Sequence, residues 1–362
     1  MQSTSIIMMC QIRTIIRKIW ALVVIIATLN MLYFTKCSGP HAPDNDHLIW
    51  MKNDKKNLGT NSLSISDSPL YVIPYMDTKV ERGYIAKIQS QYLLANTASS
   101  NSKQNKKRNI ISLSVYGSNH ERYVAGALEN AKLKNTYFPE WTLRVYVLPS
   151  FPPETIQKFK DLGAEVEYPP IFLRDEAHGM FWRFLAADDP QMERFISRDS
   201  DARFCARDRF AVDEWIQSGA VSHTMGDHFY HSPHIAIMNG GLWGSSKGFL
   251  KNETTTMADL IRQHLEKREC EGYNCDNKFL KTVIWPIVKH NQIRHDSFYC
   301  KHWQFSGTNT IGFPTPRDAN RGIVGMTFLS GITNQHNKGQ PEKIWNRTEA
   351  PECYRNISKA GE

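Results

Sequence analysis

Net charge is absent from most of this 362-residue chain. The formal charge is +8, yet residues 109–362 carry 30 basic and 30 acidic side chains. The excess sits in Arg13, Arg17 and Lys18, in Lys36, and in Lys103, Lys106, Lys107 and Arg108. A body with no basic excess argues against a duplex-binding module, whose affinity depends on releasing phosphate counter-ions, so no nucleic-acid partner is expected. Cysteine is sparse, seven in all, and a zinc site is not expected. No internal repeat and no Gly/Pro periodicity is present, which excludes solenoids and fibrous proteins. At 41% hydrophobic and 11% aromatic residues, the chain is also too apolar to be disordered. What remains is one large or two modest globular domains.

One long apolar run is present, Ile19 to Thr35 (IWALVVIIATLNMLYFT). Its 17 residues would span roughly 25 Å as a helix, enough for a thin bilayer. The cations of residues 1–18 predict that this tail stays cytoplasmic, by the positive-inside bias. The segment Phe34-Thr35-Lys36-Cys37 offers no small-residue cleavage site, which favours a signal anchor over a cleaved signal peptide. The expectation is a single-pass type II protein of the Golgi or endoplasmic reticulum membrane. It has a cytoplasmic tail over 1–18, an anchor over 19–35, a luminal stem over 36–108 and a luminal domain over 109–362. Sequons at Asn252, Asn346 and Asn356 all lie beyond the anchor. Cys270 with Cys275 and Cys300 with Cys353 are possible disulfide pairs in that compartment, their connectivity open.

The body alternates strand and helix patterns. Asn109–Tyr116 and Trp141–Leu148 read as buried strands, with a helix over Glu121–Lys134 between them. Pro153–Leu162 reads as a helix with proline early and Gly163 after its end. Ala164–Tyr168 is a third strand, Phe181–Ala187 is helical, and Met192–Ile196 is a strand leading into Ser197-Arg198-Asp199-Ser200-Asp201. This order predicts an α/β fold, a mainly parallel sheet flanked by helices. In such sheets ligands bind beyond the carboxyl ends of the strands, where Asp199 and Asp201 fall. Carboxylates at i and i+2 can converge on one hard divalent cation that also bridges a diphosphate. Alone, a D-x-D triplet is better explained by a solvated turn.

The series continues with Ala211-Val-Asp-Glu-Trp215, His223-Thr-Met-Gly-Asp-His228, Met238-Asn-Gly-Gly-Leu-Trp-Gly244, Cys275-Asp-Asn-Lys-Phe-Leu280, Ile284-Trp-Pro286 and His295-Asp-Ser297. Over about 109–331 this ordered set resembles a largely uncharacterised group of D-x-D glycosyltransferases of the nucleotide-diphospho-sugar (GT-A) fold. The resemblance implies transfer of a sugar from a nucleotide-sugar donor to a hydroxyl of a glycan, glycoprotein or glycolipid. It implies Mn²⁺ or Mg²⁺ on Asp199, Asp201 and His295, and donor binding by Arg183, Asp199, Asp201, Gly240 and Gly241. Asp227 and Asp276 are the catalytic candidates, as base or as partners of sugar hydroxyls, and Trp243 could stack on an acceptor sugar. Two departures stand out: Gly226 where the pattern H-x-M-R-D-H has Arg, and Asn277 where Gln is common.

Two other readings remain open on sequence grounds. A non-catalytic carbohydrate-binding relative would keep the fold and lose the chemistry. A glycoside hydrolase would use two carboxylates across a sugar, about 5–9.5 Å apart, rather than two around a metal.

Overall fold

The computed structural model describes residues 78–98, 107–117, 120–228, 231, 237–250, 254–267, 272, 274–300, 309–315, 323–326, 353 and 355. The expected tail, the anchor over 19–35, the stem up to residue 77 and the three sequon asparagines lie outside the described residues. Among the described residues no helix is long and apolar enough to cross a membrane.

The sheet grows from β1 (Arg108–Ser114), whose residues are buried from Ile110 onward. Parallel strands covered on both faces read as continuous apolar runs, which is why this one was visible in the sequence. Helix α2 (His120–Tyr137) crosses to β2 (Thr142–Tyr146), and α3 (Pro153–Asp161) crosses to β3 (Glu165–Glu167). The α3 crossover ends at Gly163, at φ 80°. The expected helix over Phe181–Ala187 is a single α-helical turn, α4 (Gly179–Trp182), continued as a 3-10 helix over Arg183–Asp188. Then follow β4 (Met192–Arg198), α5 (Ala206–Ser218), β5 (Ser222–Gly226), β6 (Leu242–Ser246) and α6 (Met257–Glu266). Helix α7 (Cys275–Phe279) runs through a π turn into α8 (Trp285–Val288), before β7 (Gln292–Asp296) and β8 (Asn309–Ile311).

The eight strands lie in the order β3-β2-β1-β4-β6-β5-β7-β8. All pair in parallel except β6, which is antiparallel to both β4 and β5. The mixed, mainly parallel α/β sheet expected from the sequence is therefore present. The reversal of β6 has a direct consequence for the site. Strands β4, β5 and β7 deliver their last residues to one edge of the sheet, and β6 begins at that same edge with Gly240-Gly241 just before it.

Within the expected stem, Lys79–Ala98 forms a 20-residue helix, α1. Its Ile85 and Ile88 are buried in the core shared with Ile111, Phe138 and Trp215, and its Tyr84 hydroxyl donates to Asp213 of α5 at 2.7 Å. Trp243, expected as an acceptor platform, is fully buried instead, edge-on to Phe184 at 5.3 Å and to Phe195 at 4.9 Å. An inward-facing position on a central strand turns it into the core, where burying a large side chain contributes about 1.5–3 kcal/mol. Of the two possible disulfides, Cys300–Cys353 is formed. Cys275 is also disulfide-bonded.

Candidate functional site

Asp199 and Asp201 sit on the turn leaving β4, with Ala202 N–H donating back to the Asp199 carbonyl at 3.2 Å. Their surroundings differ. The Asp199 side chain is 38% exposed, whereas that of Asp201 is 8% exposed. Burial, with Asp199 nearby, raises the pKa of Asp201 against the opposing pull of Arg122. Arg122, in the first turn of α2, reaches Asp201 Oδ2 through Nε at 2.7 Å and Nη2 at 2.6 Å. The sequence offered no signal for this arginine: helical arginines are usually solvated.

Arg183 is the centre of the cluster. Its backbone N–H donates to Ser114 Oγ of β1 at 2.9 Å, which ties the 3-10 helix to the sheet edge. Its guanidinium donates to Asp199 through Nη1 and to Asp276 Oδ2 through Nη2, the latter at 2.7 Å. Asp276 stands at the start of α7, and burial raises its pKa although Arg183 opposes that shift. Its other oxygen accepts the N–H of Asn277 at 2.8 Å. Asn277, the second departure, accepts the Gly240 N–H through Oδ1 at 2.8 Å, so the shorter amide clamps the loop before β6.

The two glycines explain themselves by close approach. A Cβ on Gly240 would collide with Asp276 Oδ2 and lie 2.6 Å from Arg183 Nη2. One on Gly241 would collide with the Asp199 carboxylate, lying 2.7 Å from Oδ1. Backbone and carboxylate can meet this closely only where no side chain intervenes. Asp199, Asp201, Arg183, Asp276, Gly240 and Gly241 are thus brought together at one sheet edge.

His295 and Asp227 are not. His295 is fully buried on β7; its Nε2 meets Glu214 Oε2 at 2.9 Å and its Nδ1 meets His223 Nε2 at 2.8 Å. Both ring nitrogens are committed on the face packed against α5, so the role of third metal ligand expected for it is corrected. With Nε2–H given to Glu214, Nδ1 of His295 must accept from His223, which leaves His223 Nδ1 buried with no partner. Asp227 is fully buried at the end of β5. It takes both arms of Arg207 at 3.0 and 3.1 Å, the Ser297 hydroxyl at 2.5 Å and the Val324 N–H at 2.9 Å. An acid with every lone pair engaged and no exposure is a fastener for the segments after β7, not a base that meets substrate.

Gly226, the first departure, has its own account. The space a side chain would take there holds the Arg294–Asp296 pair, with Asp296 Oδ2 2.5 Å from the would-be Cβ. A guanidinium does stand beside β5, supplied by the neighbouring strand: Arg294 Nε donates to Asp296 at 2.8 Å and Nη2 to the His231 carbonyl at 2.7 Å.

Chemically, three carboxylates here share two guanidiniums, and only the carboxylate oxygens, which are hard donors, can ligate a cation. That donor set fits a hard divalent cation on Asp199 and Asp201, because carboxylate oxygens are such a cation's preferred ligands and local negative charge exceeds positive. Among the described residues no three His, Cys, Asp or Glu side chains are already gathered as a metal cage. A separate groove of about 870 Å³, lined by Ile171, Phe172, Arg174, His178 and Arg262 among others, does not include the cluster.

No protein-family model and no curated protein matches this chain. Solved structures similar to it include nucleotide-sugar transferases at low identity. The mannosyltransferase PcManGT of Pyrobaculum calidifontis, solved with GDP-Man and Mn²⁺, is 12% identical over 57% of this chain and 80% of its own, at TM-score 0.31. Core-mannan synthase A of Aspergillus fumigatus, in an Mn/GDP form, is 10% identical over 54% of this chain and 74% of its own, at 0.35. Glucosyl-3-phosphoglycerate synthase of Mycobacterium tuberculosis is 11% identical over 59% of this chain and 73% of its own, at 0.37. Likenesses this slight do not assign an activity; the residues at the sheet edge must carry the functional reading.

Proposed function

We infer that this chain is a metal-dependent glycosyltransferase that moves a sugar from a nucleotide-sugar donor to a hydroxyl of a glycan, glycoprotein or glycolipid. One observation carries the reading: Arg183, Asp199 and Asp276 interlock over Gly240 and Gly241 at the carboxyl edge of a mainly parallel sheet, with Asp201 two residues on. Mn²⁺ or Mg²⁺ would be held by Asp199 and Asp201, and when bound supplies positive charge to the departing diphosphate. Arg183 is fixed in advance by two carboxylates and a backbone tie, so it can meet developing negative charge without reorganising. Gly240 and Gly241 let the Asp276 and Asp199 carboxylates lie against the backbone, which sets these side chains for the donor. Asp276, made more basic by burial, hydrogen-bonds a sugar hydroxyl or takes the acceptor's proton.

The run over 19–35 anchors the protein, with the body in the lumen of the Golgi or endoplasmic reticulum; protection of the body from added protease in sealed microsomes checks that topology. The activity is tested with a panel of nucleotide sugars and Mn²⁺, read by thermal stabilisation and by diphosphate release. Stabilisation by one donor and its loss in Asp199→Asn are expected. Silence toward every donor would sink the transferase, and glycan binding without diphosphate release would favour a carbohydrate-binding protein. Sugar release that survives exhaustive chelation would favour a hydrolase.

A further inference from the structure

The separate groove has two walls, and both lead toward the sheet edge. One follows β3 and includes Ile171, Phe172, Arg174 and His178. His178 directly precedes α4, whose single turn leads to Arg183, roughly 7.5 Å further along at 1.5 Å per residue. The other wall is the last turn of α6, with Arg262, Leu265 and Glu266. That helix packs through His264 on Phe279 of α7 at 5.4 Å, and α7 carries Asp276. At about 870 Å³ the groove has the size of a ligand site. Its polar groups are open. Arg262 and Glu266 stand one turn apart on α6, a spacing at which such side chains pair. The Arg262 guanidinium instead lies over the Phe172 ring at 4.3 Å, and no hydrogen bond or ion pair holds it among the described residues. Arg174 donates only its Nε, to the Pro169 carbonyl at 3.1 Å. His178 Nδ1 is buried with no hydrogen-bond partner among the described residues. Ile171, on the rim, is 81% exposed.

We propose that this groove binds an acidic glycan, the non-reacting arm of the acceptor, with its anionic group held by Arg174 and Arg262. That the glycan is the acceptor rests on the transferase reading above. Charge sets the class of ligand. Two guanidiniums line the groove against one carboxylate, and the nearby acids Asp259 and Asp175 already accept from the Thr256 hydroxyl and the Ala177 N–H. The free N–H groups of a guanidinium suit a carboxylate or a sulfate through charge-assisted hydrogen bonds. Glu266 separates one kind of anion from another. An ionised carboxylate only accepts hydrogen bonds. It therefore repels the carboxylates of an acidic peptide and finds no donor on an acyl chain, whereas sugar hydroxyls donate to it. Ile171 and Phe172 offer apolar surface to the C–H face of a sugar ring, completing the mix of apolar wall and few polar groups typical of such sites. A sugar acid is the class that answers both signs of charge and the apolar wall together.

The test measures binding to the full chain by calorimetry. The probes are tetragalacturonate, its uncharged methyl ester and a sulfated glycosaminoglycan tetrasaccharide. At least one acidic probe should bind on the order of tenfold more tightly than the ester, as a charge-assisted hydrogen bond allows. Arg262→Gln and Arg174→Gln should each remove most of that preference; both side chains are exposed, so native-like folding is expected. Arg262→Lys keeps the charge without the fork and should fall between, which serves as the measurement if a Gln variant does not fold. Equal binding of all three probes, or a preference for acid that survives in both Gln variants, would overturn the proposal. Tighter binding of a tetraglutamate peptide than of either acidic sugar would overturn it too, in favour of a peptide partner. Failure of the transferase reading has a different signature. No nucleotide sugar then stabilises the chain while the Arg262-dependent preference for acid persists, which keeps the glycan site and removes its role as acceptor site. Stabilisation by a donor with no preference for acid overturns the groove alone.

Discussion

Gly240→Ala and Gly241→Ala add the same methyl group to neighbouring residues, and their costs should differ several-fold. At 240 the new Cβ strikes Asp276 Oδ2 and comes within 2.6 Å of Arg183 Nη2, where carbon contacts normally begin near 3.5 Å. The Asp276 and Arg183 side chains are only 9% and 10% exposed, so neither can turn to water. Parting a buried pair costs about 3–5 kcal/mol. At 241 the methyl meets Asp199, whose side chain is 38% exposed and can swing into solvent, giving up its bond to Arg183. An ion pair at that exposure is worth about 1 kcal/mol. For a body of this size each kcal/mol lowers the midpoint by roughly 2–4 °C. Thermal unfolding should thus fall by about 6–20 °C in the first variant and by about 2–4 °C in the second. Equal losses in the two, or a larger loss at 241, would refute the assignment of which carboxylate lies over which glycine. Both variants should weaken donor binding, because the side chains displaced, Arg183 with Asp276 in one and Asp199 in the other, belong to the proposed donor site.

The remaining predictions concern residues whose expected roles changed. Asp227→Ala leaves Arg207 charged and fully buried with its main partner gone, so a loss of about 3–5 kcal/mol in urea unfolding is expected; a native-like midpoint with abolished turnover would instead restore Asp227 as a base. The His223–His295 pair should make stability fall in acid. Burial lowers both pKa values, for His223 with His295, Arg198 and Arg294 adding to the shift, and for His295 with Arg355 and Arg207 adding while Glu214 opposes. Both folded values thus lie below the unfolded value of 6.5, so stability is full above that pH and drains away below it as the unfolded chain gains protons first. The slope is about 1.4 kcal/mol per pH unit for each imidazole that stays neutral. Glu214, brought to about 2 by His295 and Arg355 against the effect of burial, adds to the decline only below its unfolded value of 4.5. A flat unfolding free energy from pH 7 to 5 would show that the pair accepts a proton without strain.

The first half of the sheet was readable because each strand there is a short apolar run and each crossover is a helix with its own punctuation. Arg108–Ser114, Thr142–Tyr146 and Met192–Arg198 fall close to where periodicity put them. Asp199 and Asp201 were readable as the carboxyl end of a strand, which is a position and not a contact. Side-chain partners were harder, since they follow from strand order. Nothing local to His295 says that its ring meets His223 of β5, two places from its ladder partner Met225, or that Glu214 of α5 closes its other nitrogen. Asp227 reads alike as a base or as a buried anchor until Arg207, 20 residues earlier, is seen to face it. Arg122 was missed for the same reason: its partner is 79 residues away. Gly226 shows the reverse case, a missing arginine whose place is filled from the next strand.

Helix α1 moves the boundary of the body. A chain beginning at residue 109 would lack Ile85 and Ile88, leave Asp213 without the Tyr84 hydroxyl, and strip Phe210 of the aromatic ring stacked on it at 4.1 Å. The faces of α2 and α5 that α1 covers would then meet water as an apolar slot, a ready seat for aggregation. A cut between α1 and β1 removes a wall of the core. A self-sufficient piece of this protein therefore includes the helix that begins some thirty residues ahead of β1.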